Sequence, residues 1–133
     1  MIFQKGRALQ LFLSGYYGQR NTGDDALAAV ISWGLNRYLK PVRIDIAAPP
    51  LVVPSEVPAR FLPQKLFRGH LRLVKSLRLM SSNVWVLGGG SILHDVLGLN
   101  PLLKLCRTMS RYRKLTRGKV IGLSLSLGPV QSQ

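Results

Sequence analysis

The segment "VWVLGGGSILHD" contains residue types that could bind an anion and transfer a proton. Gly88–Gly90 and Ser91 follow a predicted strand and precede a predicted helix, where exposed backbone N–H groups form a natural anion site. The pattern lacks the Gly-Lys-Ser/Thr ending of a P-loop, and Leu93 replaces the third glycine of a dinucleotide-binding fingerprint. A tight backbone turn without a ligand therefore stays open as the alternative.

His94 and Asp95 end the same segment and have the residue types of an acid–base pair. Neighbouring residues on a helix point about 100° apart, so these two side chains are not expected to form a hydrogen-bonded dyad. The sequence shows no metal-ligand spacing and no Gly-x-Ser-x-Gly elbow, which argues against a zinc enzyme and a serine hydrolase. Neither a metal nor a cofactor is predicted.

Two adjacent carboxylates, Asp24 and Asp25, lie in the segment "LSGYYGQRNTGDDAL", although the whole chain contains only five acidic residues. The dipole of a helix favours negative charge in its first turn by about 0.3–1 kcal/mol for each residue. Thr22 and Asp25 have the spacing of a capping box. Helix capping therefore accounts for these acids without a ligand, and a role in binding stays open beside it.

Strands and helices are predicted to alternate along the chain, and these elements determine where the two glycine-rich segments lie. Apolar runs predict strands at residues 8–16, 42–48, 83–90 and 119–128. Apolar residues at helical spacing predict helices at residues 24–40, 64–80 and 91–114, the last interrupted near 98–101. The helix at 64–80 is predicted to bury a stripe formed by Phe67, Leu71, Val74 and Leu77.

The proline-rich segment 49–63 is predicted to be a connection without regular structure. The alternation of elements predicts an α/β fold, with a Rossmann-like parallel sheet and flanking helices joined by right-handed crossovers. Ligands of such sheets gather at the carboxyl ends of the strands. The two glycine-rich segments, 15–25 and 88–95, are therefore expected at the same edge of the sheet.

A net charge of +14 is concentrated in two basic segments, residues 60–78 and 104–119. Such clusters attract anionic partners, among which nucleic acid, an anionic membrane surface and acidic saccharides all qualify, and a solvated helix face is the alternative. The chain lacks a recognised nucleic-acid-binding motif, which argues against nucleic acid as the partner. The single Cys106 cannot form an internal disulfide, which favours a reduced, cytoplasmic setting.

Three segments together resemble the polysaccharide pyruvyl transferase family. "GYYGQRNTGDDAL" resembles the first signature of that family, "VWVLGGGSILHD" the second and "VIGLSLSLGPV" the third, in the same order and over residues 11–130. Members transfer a pyruvyl group from phosphoenolpyruvate to a sugar hydroxyl of a cell-surface polysaccharide or its precursor. Their fold is similar to the two-domain glycosyltransferase-B arrangement. The resemblance implies that residues 8–133 form the N-terminal Rossmann-like domain.

The same resemblance implies that the C-terminal domain, with most of the phosphoenolpyruvate site, is absent from this chain, which would then be inactive alone. Asp24 and Asp95 become the candidates for orienting or deprotonating an acceptor hydroxyl. The implied substrate-binding residues are Gly15, Tyr17, Asn21, Asp25, Gly88, Gly89, Gly90, Ser91 and His94. His94 stands where the family usually has Gln, and Asp25 stands where Glu is common.

The expected partners are a saccharide acceptor and phosphoenolpyruvate, in a cytoplasmic protein that is either free or peripheral at the inner face of the membrane. No oligomeric state is predicted. Two other functions stay open. One is a non-enzymatic Rossmann-like domain that binds a polyanion through its basic helices, and the other is one half of a nucleotide-sugar glycosyltransferase, which shares the same architecture.

Overall fold

The computed structural model describes residues 8–62, 70–93 and 99–127. Five strands and three helices occur in these ranges. Their bounds are β1 Gln10–Ser14, α1 Thr22–Leu39, β2 Arg43–Ile46, β3 Ala59–Phe61, α2 His70–Ser81, β4 Val84–Leu93, α3 Leu99–Thr116 and β5 Lys119–Leu127.

The five strands form one sheet in the order β3-β2-β1-β4-β5, and every adjacent pair is parallel. The chain runs outward from β1 to β3 and then crosses to β4 on the other side of β1. This reversal of direction is the switch point of a doubly wound α/β sheet. The predicted α/β fold with a parallel sheet is confirmed, and the carboxyl ends of β1 and β4 are neighbours.

The central strands β1, β2 and β4 are buried on both faces, and their alternate side chains enter two separate cores. Leu11 and Leu13 of β1 lie in the core on the α1 side, together with Ile31 of α1. Phe12 of β1 lies in the core on the other side, together with Leu79 of α2 and Tyr112 of α3. Burial on both faces explains why the strands are nearly continuous apolar runs.

The proline-rich segment contains a strand, so the prediction of an unstructured connection was wrong at β3. Ala59, Arg60 and Phe61 pair in parallel with residues of β2. The preceding Pro58 contributes its carbonyl oxygen, which accepts a hydrogen bond of 2.9 Å from the backbone N–H of Ile44. A strand of three residues is too short for a detectable alternation, and its place at the edge of the sheet tolerates flanking prolines.

β4 continues through the triple glycine instead of ending there. Gly90 pairs with Leu125 of β5 and Leu93 pairs with Leu127, with a register shift between the two pairs. Gly89 and Gly90 have φ angles of 78° and 74°, which glycine adopts without a Cβ penalty, so the strand bends and stays paired. The predicted turn followed by a helix from residue 91 was wrong for residues 91–93. Residues 94–98 lie outside the described residues.

α2 packs on the sheet through a different face from the one predicted. Leu77, which belonged to the predicted buried stripe, is 61% exposed, and Leu73 is 59% exposed. Leu79 is 6% exposed and contacts the core beside Trp85 and Tyr112. The helix meets the sheet near its carboxyl end, and tertiary contacts there set its rotation. The predicted helical residues before His70 are 64–69, which lie outside the described ranges.

Candidate functional site

The loop after β1 lies directly against β4, as predicted from the parallel sheet. A Cβ atom added to Gly15 would be 2.1 Å from the carbonyl oxygen of Gly88. A Cβ atom at Gly88 would in turn be 2.8 Å from the hydroxyl oxygen of Tyr17. Because no side chain fits between the two segments, these glycines allow the β1 loop and β4 to approach one another.

Tyr17 joins the two segments from inside the core. Its side chain is fully buried, and its hydroxyl donates a hydrogen bond to the carbonyl oxygen of Gly88. Burial, and to a lesser degree the negative charge of Asp24, raise the pKa of Tyr17 above the ordinary value of a phenol. The structure places the ring of Tyr17, a predicted substrate-binding residue, in the core, where it positions the loop against β4.

Replacing Tyr17 with phenylalanine should lower the free energy of unfolding by about 1–2 kcal/mol, because the buried carbonyl of Gly88 loses its donor. The raised pKa means that the neutral phenol stabilises the fold. This contribution is intact below the ordinary phenol pKa of about 10 and is lost as the pH rises toward the folded-state value. Tyr17→Phe should therefore also lose less stability above about pH 10 than the parent chain does.

Urea unfolding at neutral and alkaline pH measures both effects. The matched control is Tyr16→Phe, since Tyr16 is the neighbouring tyrosine and is 50% exposed. An equal effect of the two substitutions would contradict the assigned role of Tyr17.

Asn21, rather than Thr22, caps α1. Its side-chain oxygen accepts a hydrogen bond of 3.2 Å from the backbone N–H of Gly23, and its side-chain amide donates one of 2.7 Å to Oδ2 of Asp24. The predicted capping pair of Thr22 and Asp25 was therefore wrong by one residue. Both Asn and Thr are good capping residues, so composition alone does not choose between them.

Asp25 closes the loop that precedes the helix. Its Oδ1 atom accepts a hydrogen bond of 2.7 Å from the backbone N–H of Gly18. Gly18 has a φ of 69°, and a Cβ atom there would be 2.4 Å from the ring of Pro49. Asp25 thus holds the shape of the loop.

Asp24 is the acid that the structure brings to the glycine cluster of β4. The residue is 8% exposed, and its Oδ1 atom is 2.9 Å from the position of a Cβ atom at Gly90. Its other oxygen is held by the amide of Asn21. A carboxylate fixed in this way beside the half-buried Gly90 can accept a hydrogen bond from a ligand hydroxyl.

The other predicted site residues have different outcomes. Asn21 is exposed at the start of α1, and Gly88 and Gly89 are buried in β4. Ser91 belongs to β4, whereas His94 and Asp95 lie outside the described residues. Within the described ranges, no group of three or more His, Cys, Asp or Glu residues could hold a metal ion.

Comparison of this chain with family models, with curated proteins and with solved structures finds no match. None of the helices in the described part of the chain is long and apolar enough to cross a membrane. The structure itself establishes an α/β fold in which two glycine-rich segments and a buried carboxylate meet at the switch point of a parallel sheet.

Proposed function

We propose that this chain is the N-terminal, acceptor-side half of a polysaccharide pyruvyl transferase with a glycosyltransferase-B-like architecture. The transferred group would pass from phosphoenolpyruvate to a sugar hydroxyl of a cell-surface polysaccharide or its precursor. One observation carries the proposal: all three segments that resemble the family's signatures converge on one edge of the sheet. The β1 loop touches β4 at Gly15 and Gly88, and β5 pairs with the glycine cluster at Gly90.

The convergence supports the proposal because ligands of open α/β sheets bind at the switch point, beyond the carboxyl ends of the strands. Tyr17 and Gly88 are 71 positions apart and share a buried hydrogen bond. The proposal is thus supported by the resemblance in sequence and by the position of the resembling segments where such sheets bind ligands.

Asp24 is the residue that we assign to the acceptor. Formation of a pyruvyl ketal joins two sugar oxygens to C2 of the enolpyruvyl group, adds a proton to C3 and releases phosphate. An attacking hydroxyl has to give up its proton, and a carboxylate within hydrogen-bond reach of that hydroxyl can take it or orient the group. Asn21 keeps one oxygen of Asp24 occupied, so Oδ1, beside Gly90, is the atom assigned to this task.

The donor would be held mainly by a second, opposing domain, in the manner implied by the family's fold. Bringing the acceptor and phosphoenolpyruvate together in register supplies much of the rate enhancement in a bimolecular transfer. The test therefore requires the protein as its source cell makes it, with its native partners if it has them.

Asp24→Asn should reduce pyruvyl transfer by about 10²–10⁴-fold, the usual effect of losing a general acid–base group. The measurement is phosphate release from phosphoenolpyruvate together with mass-spectrometric detection of the ketal on the glycan. Glu56→Gln is the matched control, since it makes the same carboxylate-to-amide change at an exposed residue outside the site.

Unchanged turnover in Asp24→Asn, with an unchanged urea midpoint, would contradict the role of this carboxylate but not the proposed activity. Absence of transfer from phosphoenolpyruvate by the native protein would contradict the activity itself. Consumption of a nucleotide-sugar instead would support the glycosyltransferase alternative.

A further inference from the structure

The described residues of the α2 and α3 side of the molecule carry a dense positive charge and include no acid. Among the described residues 70–93 and 99–127 there is no Asp or Glu. The same ranges contain ten basic residues, namely Arg72, Lys75, Arg78, Lys104, Arg107, Arg111, Arg113, Lys114, Arg117 and Lys119. A surface of this kind produces a positive potential that attracts anionic partners.

Exposed leucines accompany these cations. Leu73 and Leu77 lie one turn apart on α2 and are 59% and 61% exposed. On α3, one row at four-residue spacing consists of Leu99, Leu103, Arg107, Arg111 and Leu115, all of them exposed. Apolar and cationic side chains thus share the solvent face of each helix.

The two helices present these side chains on the same side of the sheet. α2 and α3 contact one another, and both pack on the core that contains Phe12 and Trp85. α1, which carries Asp24 and Asp25, packs on the opposite face. The solvent faces of α2 and α3 therefore form a single surface, which we call the α2–α3 surface and define by Leu73, Leu77, Leu103, Arg107 and Arg111.

We propose that the α2–α3 surface binds peripherally to an anionic lipid membrane. Cations attract the acidic headgroups, and the exposed leucines supply apolar area that enters the boundary between headgroups and acyl chains. Single-stranded nucleic acid shares the charge complementarity, but its bases are usually held by exposed aromatic side chains. Among the described residues of α2 and α3 the only aromatic side chains are those of His70 and Tyr112, and Tyr112 is fully buried. The inference does not rest on the proposed transferase activity.

Sedimentation of the full chain with phospholipid vesicles tests this inference. The chain should bind vesicles of phosphatidylglycerol and phosphatidylcholine, and it should not bind vesicles of phosphatidylcholine alone. Arg107→Gln combined with Arg111→Gln should weaken binding by roughly 30-fold, which corresponds to about 1 kcal/mol for each cation near the membrane.

Arg20→Gln combined with Arg37→Gln is the matched control, because it removes the same charge from exposed residues of the α1 helix and its preceding loop. These two substitutions should weaken binding by less than about threefold, because α1 packs on the opposite face of the sheet from α2 and α3 and salt screens distant charges. An equal loss in both pairs, or no binding to phosphatidylglycerol vesicles, would overturn the proposal.

A second variant separates lipid from other polyanions. Leu73→Ser combined with Leu77→Ser should weaken vesicle binding on the order of tenfold and leave binding to duplex DNA unchanged, because only the membrane accepts the leucine side chains. Unchanged vesicle binding in this variant would overturn the proposal in favour of a general polyanion site. All substituted residues are exposed, and equal urea midpoints confirm that the variants are folded.

Discussion

Replacing Arg43 with alanine should lower the free energy of unfolding by about 3–5 kcal/mol, the cost of leaving a buried charge without its partner. Asp45 lies in β2 with no exposed surface, and its Oδ2 atom is 2.7 Å from Nε of Arg43. Its Oδ1 atom has no hydrogen-bond partner within the described part of the chain. Arg43 is therefore the group that compensates for the burial of this carboxylate.

Arg43 also connects three elements of the fold. Its guanidinium donates to Oε1 of Gln10 in β1 at 2.8 Å and to the hydroxyl of Ser81 in α2 at 3.2 Å. Removal of the side chain breaks these hydrogen bonds together with the ion pair, which places the expected loss well above that of an ordinary surface substitution.

Urea unfolding at neutral pH measures this loss. Arg111→Ala is the control, since it removes the same side chain from an exposed position on α3 and should change stability by less than about 0.5 kcal/mol. Arg43→Met combined with Asp45→Leu should be close to neutral, because the buried charge disappears with its partner. If Arg43→Ala lowers the free energy of unfolding by less than about 1 kcal/mol, Arg43 does not compensate for the burial of Asp45.

Replacing Gly15 with alanine should cost about 3 kcal/mol, at the upper end of the range for an overpacked core. The new Cβ atom would lie 2.1 Å from the carbonyl oxygen of Gly88 and 2.5 Å from the ring of Tyr17. Neither neighbour can move independently, since Tyr17 and Gly88 are joined by a buried hydrogen bond. The added methyl group must therefore separate the β1 loop from β4.

Gly34→Ala provides the control for Gly15→Ala. Gly34 lies inside α1, and no atom lies within 4 Å of the position that its Cβ atom would occupy. The same chemical change should here stabilise the fold by about 0.5–1 kcal/mol, because alanine is the better helix former. Gly15→Ala should therefore lower the free energy of unfolding and Gly34→Ala should raise it, and urea unfolding measures both changes. Unchanged stability in Gly15→Ala would show that the two segments do not approach as described.

The elements that could be predicted from sequence are those with a strong local pattern. α1 and β5 lie close to their predicted limits, since a helical apolar period and a continuous apolar run are visible without knowledge of the fold. β3 was not predicted, because three residues between prolines carry no period. The rotation of α2 was not predicted either, because Leu79 and Leu77 are equally apolar and only contact with the sheet distinguishes them.

The candidate site was predicted in outline and not in detail. The meeting of the two glycine segments follows from the rule that parallel strands end at one edge of the sheet, and it is confirmed. The different roles of Asp24 and Asp25 could not be predicted, because both lie in the first turn of α1 and the helix dipole favours both equally. Their hydrogen-bond partners, Asn21 and Gly18, are what separate them.

By itself, the sequence determined the alternation of strands and helices, the surplus of positive charge and the segments that carry glycine and acid. These properties depend on neighbours along the chain, so they can be recognised before folding is considered. Only the tertiary structure decided that β4 bends without ending, that the buried Tyr17 holds the β1 loop against β4 and that Asp24 lies beside Gly90. Each of these facts depends on contacts between segments that are distant in the sequence, which local pattern does not encode.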